Sequence, residues 1–239
     1  MKIRFLGVGA ALNTSNMGSS VLVDDTVLID VPPATSMSLL RDGIDIKNIN
    51  HIFISHLHGD HYFGLPFLLL EYMLAKRSNP LYIYGSDELR NNTIELLRLA
   101  FPESDPEKLV SFSNSSFGKL SVGDSVSTDS FDITPVYAKH SIETFGFIIK
   151  SSTDSIYYSS DTELTEEIRS SIEMSRVVII DSTTRGMTLA GHIDLEKVVE
   201  FAKKFKDKTF YITHRSRYPF ADIDIPNIIF PNDGDEFNI

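Results

Sequence analysis

Residues 55–64 read "SHLHGDHYFG" and place His56, His58, Asp60 and His61 within six positions. Divalent ions of the zinc type take imidazole nitrogen and carboxylate oxygen, and a hydrolytic site keeps a coordination position open for water. The stretch follows "HIFIS" (51–55), a β-rich run, and residues two apart in an extended segment share a face. His56 and His58 can therefore converge on one ion at the end of a strand. Past Gly59 the chain turns, and Asp60 and His61 can reach a second ion. The bland alternative is a polar loop whose histidines are solvated or cap the next helix. Three strand ends elsewhere supply partners that such a loop would not need. His140 ends "PVYAKH", Asp161 follows "IYYSS" and His214 ends "FYITH", where a rigid scaffold displays functional groups. Taken singly, the two histidines could be mere strand-end residues and Asp161 a cap for the helix that follows. His51 opens a strand with no carboxylate in view and reads as structural.

Outward from this centre, the chain alternates short strands and helices. "KIRFLG" (2–7), "SSVLVDD" (19–25), "TVLIDVP" (26–32) and "HIFIS" read as strands of one sheet, punctuated by Gly, Asn, Ser and Asp. "FLLLEYMLAKR" (67–77) after Pro66 reads as a helix, with proline in the tolerated first turn. "LYIYGS" (81–86) is a strand and "DELRNNTIELLRLAF" (87–101) a helix expected to be capped by Ser86 or Asp87. A second sheet is expected from "KLVSFS" (108–113), "DSFDITPVYAKH" (129–140), "TFGFIIKSS" (144–152) and "SIYYSSD" (155–161). The last third reads helix (164–175), strand (176–182), helix (194–205) and strand (209–214). Two mixed sheets packed face to face with helices outside account for this order.

The 239 residues suit one domain, 1–239, with 42% hydrophobic and 23% charged residues. The apolar runs fall short of the roughly 18 residues that span a bilayer, and no secretory leader is read at the N-terminus. A cytoplasmic protein without a membrane partner is expected. The absence of cysteine excludes disulfides, thiolate nucleophiles and cysteine-based metal sites. A net charge of −11 disfavours non-specific capture of polyanions, although a local basic patch could still hold a phosphate.

Together, "FLGVGAA", "LIDVPPAT", "IFISHLHGDHYFGLPFLL", "KHSIETFGF", "SSDT", "AGHIDL" and "ITHRSRY" resemble, in order, the metallo-β-lactamase superfamily and within it the ribonuclease Z-like phosphodiesterases. The resemblance implies an αββα sandwich of two mixed β-sheets flanked by helices. It implies that His56, His58 and His140 bind one metal, that Asp161 bridges, and that Asp60, His61 and His214 complete a second. Two divalent ions are expected, zinc by default, with manganese or iron as alternatives. Asp30 matches an acid that supports the site from behind its ligands, and Asp181 one that orients His192. By the same resemblance His192 is the proton donor and Arg217 faces phosphate, with Asp60 holding the nucleophile's proton. Arg185 reads as a solvated charge.

The family's tRNA-processing members carry a basic, glycine-rich arm between the equivalents of His140 and Asp161. Only twenty residues intervene here, enough for two strands and a turn. Arg215 also stands where a less basic residue is expected. The resemblance therefore implies hydrolysis of a small or cyclic phosphodiester, or a short RNA end, by a metal-bound hydroxide. Alternatives are tRNA 3′-end processing, hydrolysis of a carboxylic ester, lactone or β-lactam, and a binding module without catalysis. A homodimer is left open.

Overall fold

The computed structural model describes residues 1–219 and 222–239. Strands β1 (Lys2–Gly7), β2 (Ser20–Val23), β3 (Val27–Ile29), β4 (His51–Phe53), β5 (Leu81–Gly85) and β6 (Ser115–Lys119) lie side by side in that order. The second sheet runs from β7 (Val126–Ser127) through β8 (Asp132–Ala138), β9 (Thr144–Lys150), β10 (Ser155–Tyr158), β11 (Val177–Asp181) and β12 (Thr209–Thr213) to β13 (Ile228–Ile229). The chain's last strand, β14 (Glu236–Asn238), returns to the first sheet and pairs antiparallel with β1.

Helices α1 (Thr35–Arg41), α2 (Gly59–Tyr62), α3 (Leu65–Leu74), α4 (Leu89–Ala100) and α5 (Pro106–Phe112) accompany the first sheet. Helices α6 (Glu166–Met174) and α7 (Leu195–Lys204) accompany the second. The period of two along each strand sorts the core into layers. Ile3, Phe5, Val21, Val23, Phe53, Phe147, Ile149, Ile156 and Ile179 meet between the sheets. Leu22, Leu28, Ile52, Ile83, Leu65, Leu68 and Leu69 form the layer under the first sheet's helices, while Val178, Ile180, Phe210, Ile212, Ile168 and Val198 form the other. This is the four-layer αββα arrangement that the order of elements implies.

Two local readings need correction, and one bland alternative falls away. Residues 108–112 are helix α5, not strand, because Asp105 accepts from the Glu107 and Lys108 amides and Pro106 sets the first turn. Neither Ser86 nor Asp87 caps α4. Its N-cap is Glu88 without a side-chain bond, and the chain enters through a turn in which the Leu89 amide donates to the Ser86 carbonyl. Asp161 caps no helix either, since α6 is capped by Thr165. Among the described residues no helix is long and apolar enough to cross a membrane.

β3, β4 and β5 run parallel, as do β10, β11 and β12, and β8 is antiparallel to β9, which is antiparallel to β10. Asp30, His56, His140, Asp161, Asp181 and His214 all sit at or just past the carboxyl ends of these strands. They share one rim, where open α/β sheets place their ligands.

Candidate metal centre

Asp161 is the hub of that rim. Its Oδ2 lies 3.4 Å from Nε2 of His61, 3.4 Å from Nε2 of His214, 3.8 Å from Nε2 of His56 and 3.9 Å from Nε2 of His140. These separations exceed ordinary hydrogen bonds. Two donors held tetrahedrally at about 2.0–2.1 Å from one zinc-sized ion lie about 3.3 Å apart, so the spacings suit atoms that share ions.

The inward aim of the imidazoles is set from behind. His61 Nδ1 donates to Asp30 Oδ2 at 2.9 Å, and His140 Nδ1 to the Gly191 carbonyl at 2.9 Å. His56 Nδ1 meets Ser55 Oγ at 3.0 Å, and His214 Nδ1 meets Thr183 Oγ1 at 2.7 Å. The hydroxyls of Ser55 and Thr183 give their protons to Asp30 and Asp181, which assigns the Nδ1 proton to both histidines. Four imidazoles thus engage Nδ1 from behind and turn Nε2 to the centre. His58 is turned the other way, with Nδ1 3.1 Å from Nε2 of both His56 and His140.

Asp30 is fully buried and accepts from the Ser55 amide and hydroxyl, His61 and the Tyr158 hydroxyl, at 2.8–3.0 Å. The backbone is bent to make these contacts. Asp30, Ser160 and His214 have φ of 60°, 55° and 50°, a left-handed conformation rare outside glycine and costing roughly 1–3 kcal/mol per residue. At Gly191, with φ 80°, a Cβ would stand 2.4 Å from His140 Nδ1, so only glycine brings that carbonyl to the ring.

Electrostatics divide the cluster. Burial, aided by the nearby His61, holds His56 well below the usual imidazole range, and burial also lowers His140 against the pull of Asp161. Burial opposes a proton on His61 and His214, but the carboxylates around them win. Asp161 and Asp30 hold His61 well above its ordinary value, and Asp161, Asp181 and Asp60 raise His214 to about 10. Burial would raise Asp161; His214 and His61 outweigh it and hold the carboxyl well below the usual range.

Ligand-capable atoms gather within 4.8 Å in the sets His56, His58 and His140; His56, His61 and Asp161; and Asp60, His61 and His214. His61 Nε2 and Asp161 Oδ1 are buried without a hydrogen-bond partner, a costly state that a cation between them would relieve. A nitrogen and oxygen donor set of this kind fits two divalent ions. Asp161, Asp181, His192 and His214 form a further set, but Asp181 is fully buried and already accepts from Thr183 at 2.7 Å and His192 at 3.0 Å. It anchors side chains and is not free to bind an ion.

Residues 1–223 match the family model described as anti-Pycsar protein Apyc1. The chain belongs to this family. Its sequence is ribonuclease Z-like within the metallo-β-lactamase superfamily, as the motifs imply. Ribonuclease Z of Methanococcus maripaludis is 31% identical over 155 residues, which are 63% of this chain and 48% of that protein. Zinc phosphodiesterase ELAC protein 1 of Bos taurus is 39% identical over 115 residues, covering 43% of this chain and 32% of that one. The chain spans about half the length of the first curated relatives it matches. Among solved structures, the short form of human tRNase Z (ELAC1) superposes with a TM-score of 0.79 at 21% identity, covering 100% of this chain and 99% of that one. YhfI of Bacillus subtilis gives 0.80 at 16%, covering 99% and 98%. Both show the metallo-β-lactamase fold.

The remaining candidates are distributed unevenly. His192 lies at the rim with Nδ1 3.0 Å from Asp181 Oδ2 and 4.0 Å from Asp161. Arg217 is exposed and lines a neighbouring recess with Asn13, Asn16 and Tyr218, which meets the metal cavity at Ser216. Arg185 is paired with Asp222 and Glu196 and turned away from the centre. Arg215 is buried and donates to the Pro231 carbonyl, so its side chain belongs to the scaffold. His51 sits outside the cluster. Ser55, Tyr158 and Thr183 escaped the sequence reading, because a hydroxyl carries no motif of its own until the fold shows which carboxylate it meets.

Proposed function

We propose that residues 1–239 form one hydrolase domain that uses two divalent ions to cleave phosphodiester bonds, with a small or cyclic phosphodiester or a short RNA end as substrate. The observation that carries this reading is the position of Asp161 Oδ2, within 3.4–3.9 Å of four inward-facing Nε2 atoms. His56, His58 and His140 would hold one ion, Asp60, His61 and His214 the other, and Asp161 both. Ions held there acidify water towards neutral pH and offset charge on a phosphoryl oxygen.

The chain's own groups do the rest. Asp60 Oδ2 lies 3.5 Å from His214 Nε2 and 3.6 Å from His61 Nε2, with its side chain open to the cavity. Burial would raise its pKa, but the His214 hydrogen bond and the His61 charge lower it, so it stays ionised and can hold the nucleophile's proton. Burial pushes His192 down, but its hydrogen bond to Asp181 and the charges of Asp181 and Asp161 together outweigh it and hold the ring above its ordinary value. It is therefore supplied with a proton near neutral pH and faces the cavity to donate it to the departing oxygen. Arg217 adds positive charge from the adjoining recess.

The size of the substrate is inferred from two features. The metal cavity encloses about 380 Å³, within the range of small-molecule sites. Between His140 and Asp161 the chain forms only the β9–β10 hairpin, with Lys150 paired to Ser155. An extended RNA would need a basic surface that this segment does not supply. A carbonyl substrate has less use for the His192–Asp181 pair, which makes ester or β-lactam hydrolysis the weaker reading.

Assays with bis-p-nitrophenyl phosphate, cyclic nucleotides, precursor tRNA and nitrocefin on one metal-loaded preparation test the proposal. Small phosphodiesters should be cleaved at least as efficiently as precursor tRNA, with little salt dependence. Preferential cleavage of precursor tRNA, steeply weakened by salt, would favour ribonuclease Z activity. Turnover of nitrocefin alone would reject phosphodiester chemistry.

A further inference from the structure

A second cavity opens at the other end of the strands, and the reaction proposed above has no use for its lining. β4 and β5 pair His51 with Tyr82 and Phe53 with Tyr84, which sets four rings on one face of the sheet. His51 stacks on Tyr82 with centroids 5.3 Å apart and planes 18° apart, and on Tyr84 at 6.3 Å and 10°. Phe53 stacks on Tyr84 at 4.9 Å and 21°. Phe53 is in the inter-sheet core, whereas Tyr82 is 40% exposed. The ladder starts in the core and runs out into a cavity of about 550 Å³. Across from it, the turn between β7 and β8 contributes Ser127, Thr128 and Asp129. His51 and His56 are five positions apart, roughly 16 Å of extended chain, so an occupant here does not touch the metal centre.

The polar groups define what fits. His51 Nδ1 is buried and has no hydrogen-bond partner. Burial holds its ring below the usual imidazole range against the charge of Asp129, leaving it neutral at pH 7. The Asp129 carboxylate is exposed at the rim as an acceptor. The nearby cation, Arg77, is occupied: its guanidinium donates to the carbonyls of Ile46, Lys47, Asn79 and Pro80 and to Asn50 Oδ1. With that amide oxygen engaged, Asn50 turns its NH2 group to the remaining surroundings. Stacked rings, an anionic acceptor and, among the described lining residues, no lysine or arginine favour a flat ring bearing an amine and disfavour phosphate.

We propose that this cavity binds the amino-bearing heterocycle of an uncharged nucleoside, stacked on Tyr82 and His51 with its exocyclic amine on Asp129, at a site separate from the histidine cluster. Such a ring spans the open end of the ladder, where Tyr82 is exposed.

Calorimetric titration of adenosine into the metal-loaded full chain tests this, with adenosine 5′-monophosphate and ribose as comparators. At the site that Tyr82 lines, adenosine should bind saturably, the monophosphate more weakly, and ribose not at all. Tyr82→Ala and Asp129→Asn alter exposed side chains and should each weaken adenosine by about tenfold, the scale of one lost ring stack. Both variants should hydrolyse bis-p-nitrophenyl phosphate at the wild-type rate. His192→Ala should leave adenosine affinity unchanged. Absence of saturable binding at millimolar adenosine, unchanged affinity in Tyr82→Ala or Asp129→Asn, or loss of adenosine binding in His192→Ala would overturn the proposal. Tighter binding of the monophosphate that Tyr82→Ala weakens, or equal binding of ribose, would overturn its chemistry.

Discussion

Asp181 Oδ2 and His192 Nδ1 lie 3.0 Å apart, with the carboxylate fully buried and the imidazole at the cavity edge. Asp181 also accepts from Thr183 Oγ1 at 2.7 Å and from the amides of Thr162 and Ile193 at 3.4 Å, so it is fixed before His192 docks on it. On the proposed mechanism the pair would give the site a proton source whose loss need not disturb the ions.

His192→Ala is accordingly expected to lower turnover by about 10² to 10⁴-fold, the usual contribution of a general acid. Metal content, measured by elemental analysis, should stay near wild type. The defect should be larger for an alkoxide leaving group than for p-nitrophenolate, and equal defects would reject proton donation.

Thr183 stands between the two halves of this machinery, with Oγ1 2.7 Å from His214 Nδ1 and 3.0 Å from His192 Nδ1. Thr183→Val keeps the volume and removes the hydroxyl. Activity or metal affinity should fall by about 10- to 100-fold, as for other groups that orient ligands, and Thr183→Ser should restore it. If the valine and serine variants behave alike, the hydroxyl orients nothing.

Asp30→Ala would leave four buried donors without their acceptor, each a loss of about 1–3 kcal/mol. A destabilisation of about 3 kcal/mol or more lowers the melting temperature of a chain this size by about 6 °C or more. Asp30→Asn keeps one acceptor oxygen and should lose less. Both should retain metal poorly, because His61 loses the partner that aims its Nε2.

The two halves of the centre should also take up metal with different proton balances. In the metal-free chain His56 and His140 are held down and are neutral at pH 7, whereas His61 and His214 are held up, His214 to about 10. A raised imidazole is protonated below that value and must lose its proton to bind an ion. The Asp60, His61 and His214 set should therefore bind more tightly as pH rises from about 6.5 towards 10, and its filling at pH 7 should release protons. Calorimetry in buffers of different ionisation enthalpy measures that release. Filling both sites without it would contradict the assigned charge states.

Much of this centre could be read in the chain itself because its chemistry is dense and local. His56, His58, Asp60 and His61 fall in one turn after a strand, and His140, Asp161 and His214 each end a β-run. Strands whose residues alternate between two cores, such as Phe210, Tyr211 and Ile212, announce themselves by period. What was not legible depends on distant pairing. β14 is three residues long and exists because β1 leaves an edge for it. Ser55, Tyr158 and Thr183 gain meaning only when Asp30 and Asp181 arrive beside them. Residues 108–112 misled because "KLVSF" is β-rich in composition, while the helix signal, Asp105 followed by Pro106, lies upstream. Arg217 carries a motif position yet lines the recess beside the metal cavity, a distinction that spacing alone does not make.

The central claim is that Asp161 joins two ions. Anomalous diffraction from crystals of the metal-loaded protein tests it most directly. The expected result is two peaks about 3.5–4 Å apart, with Asp161 in contact with both. A single peak, or two with Asp161 in contact with neither or only one, would contradict it.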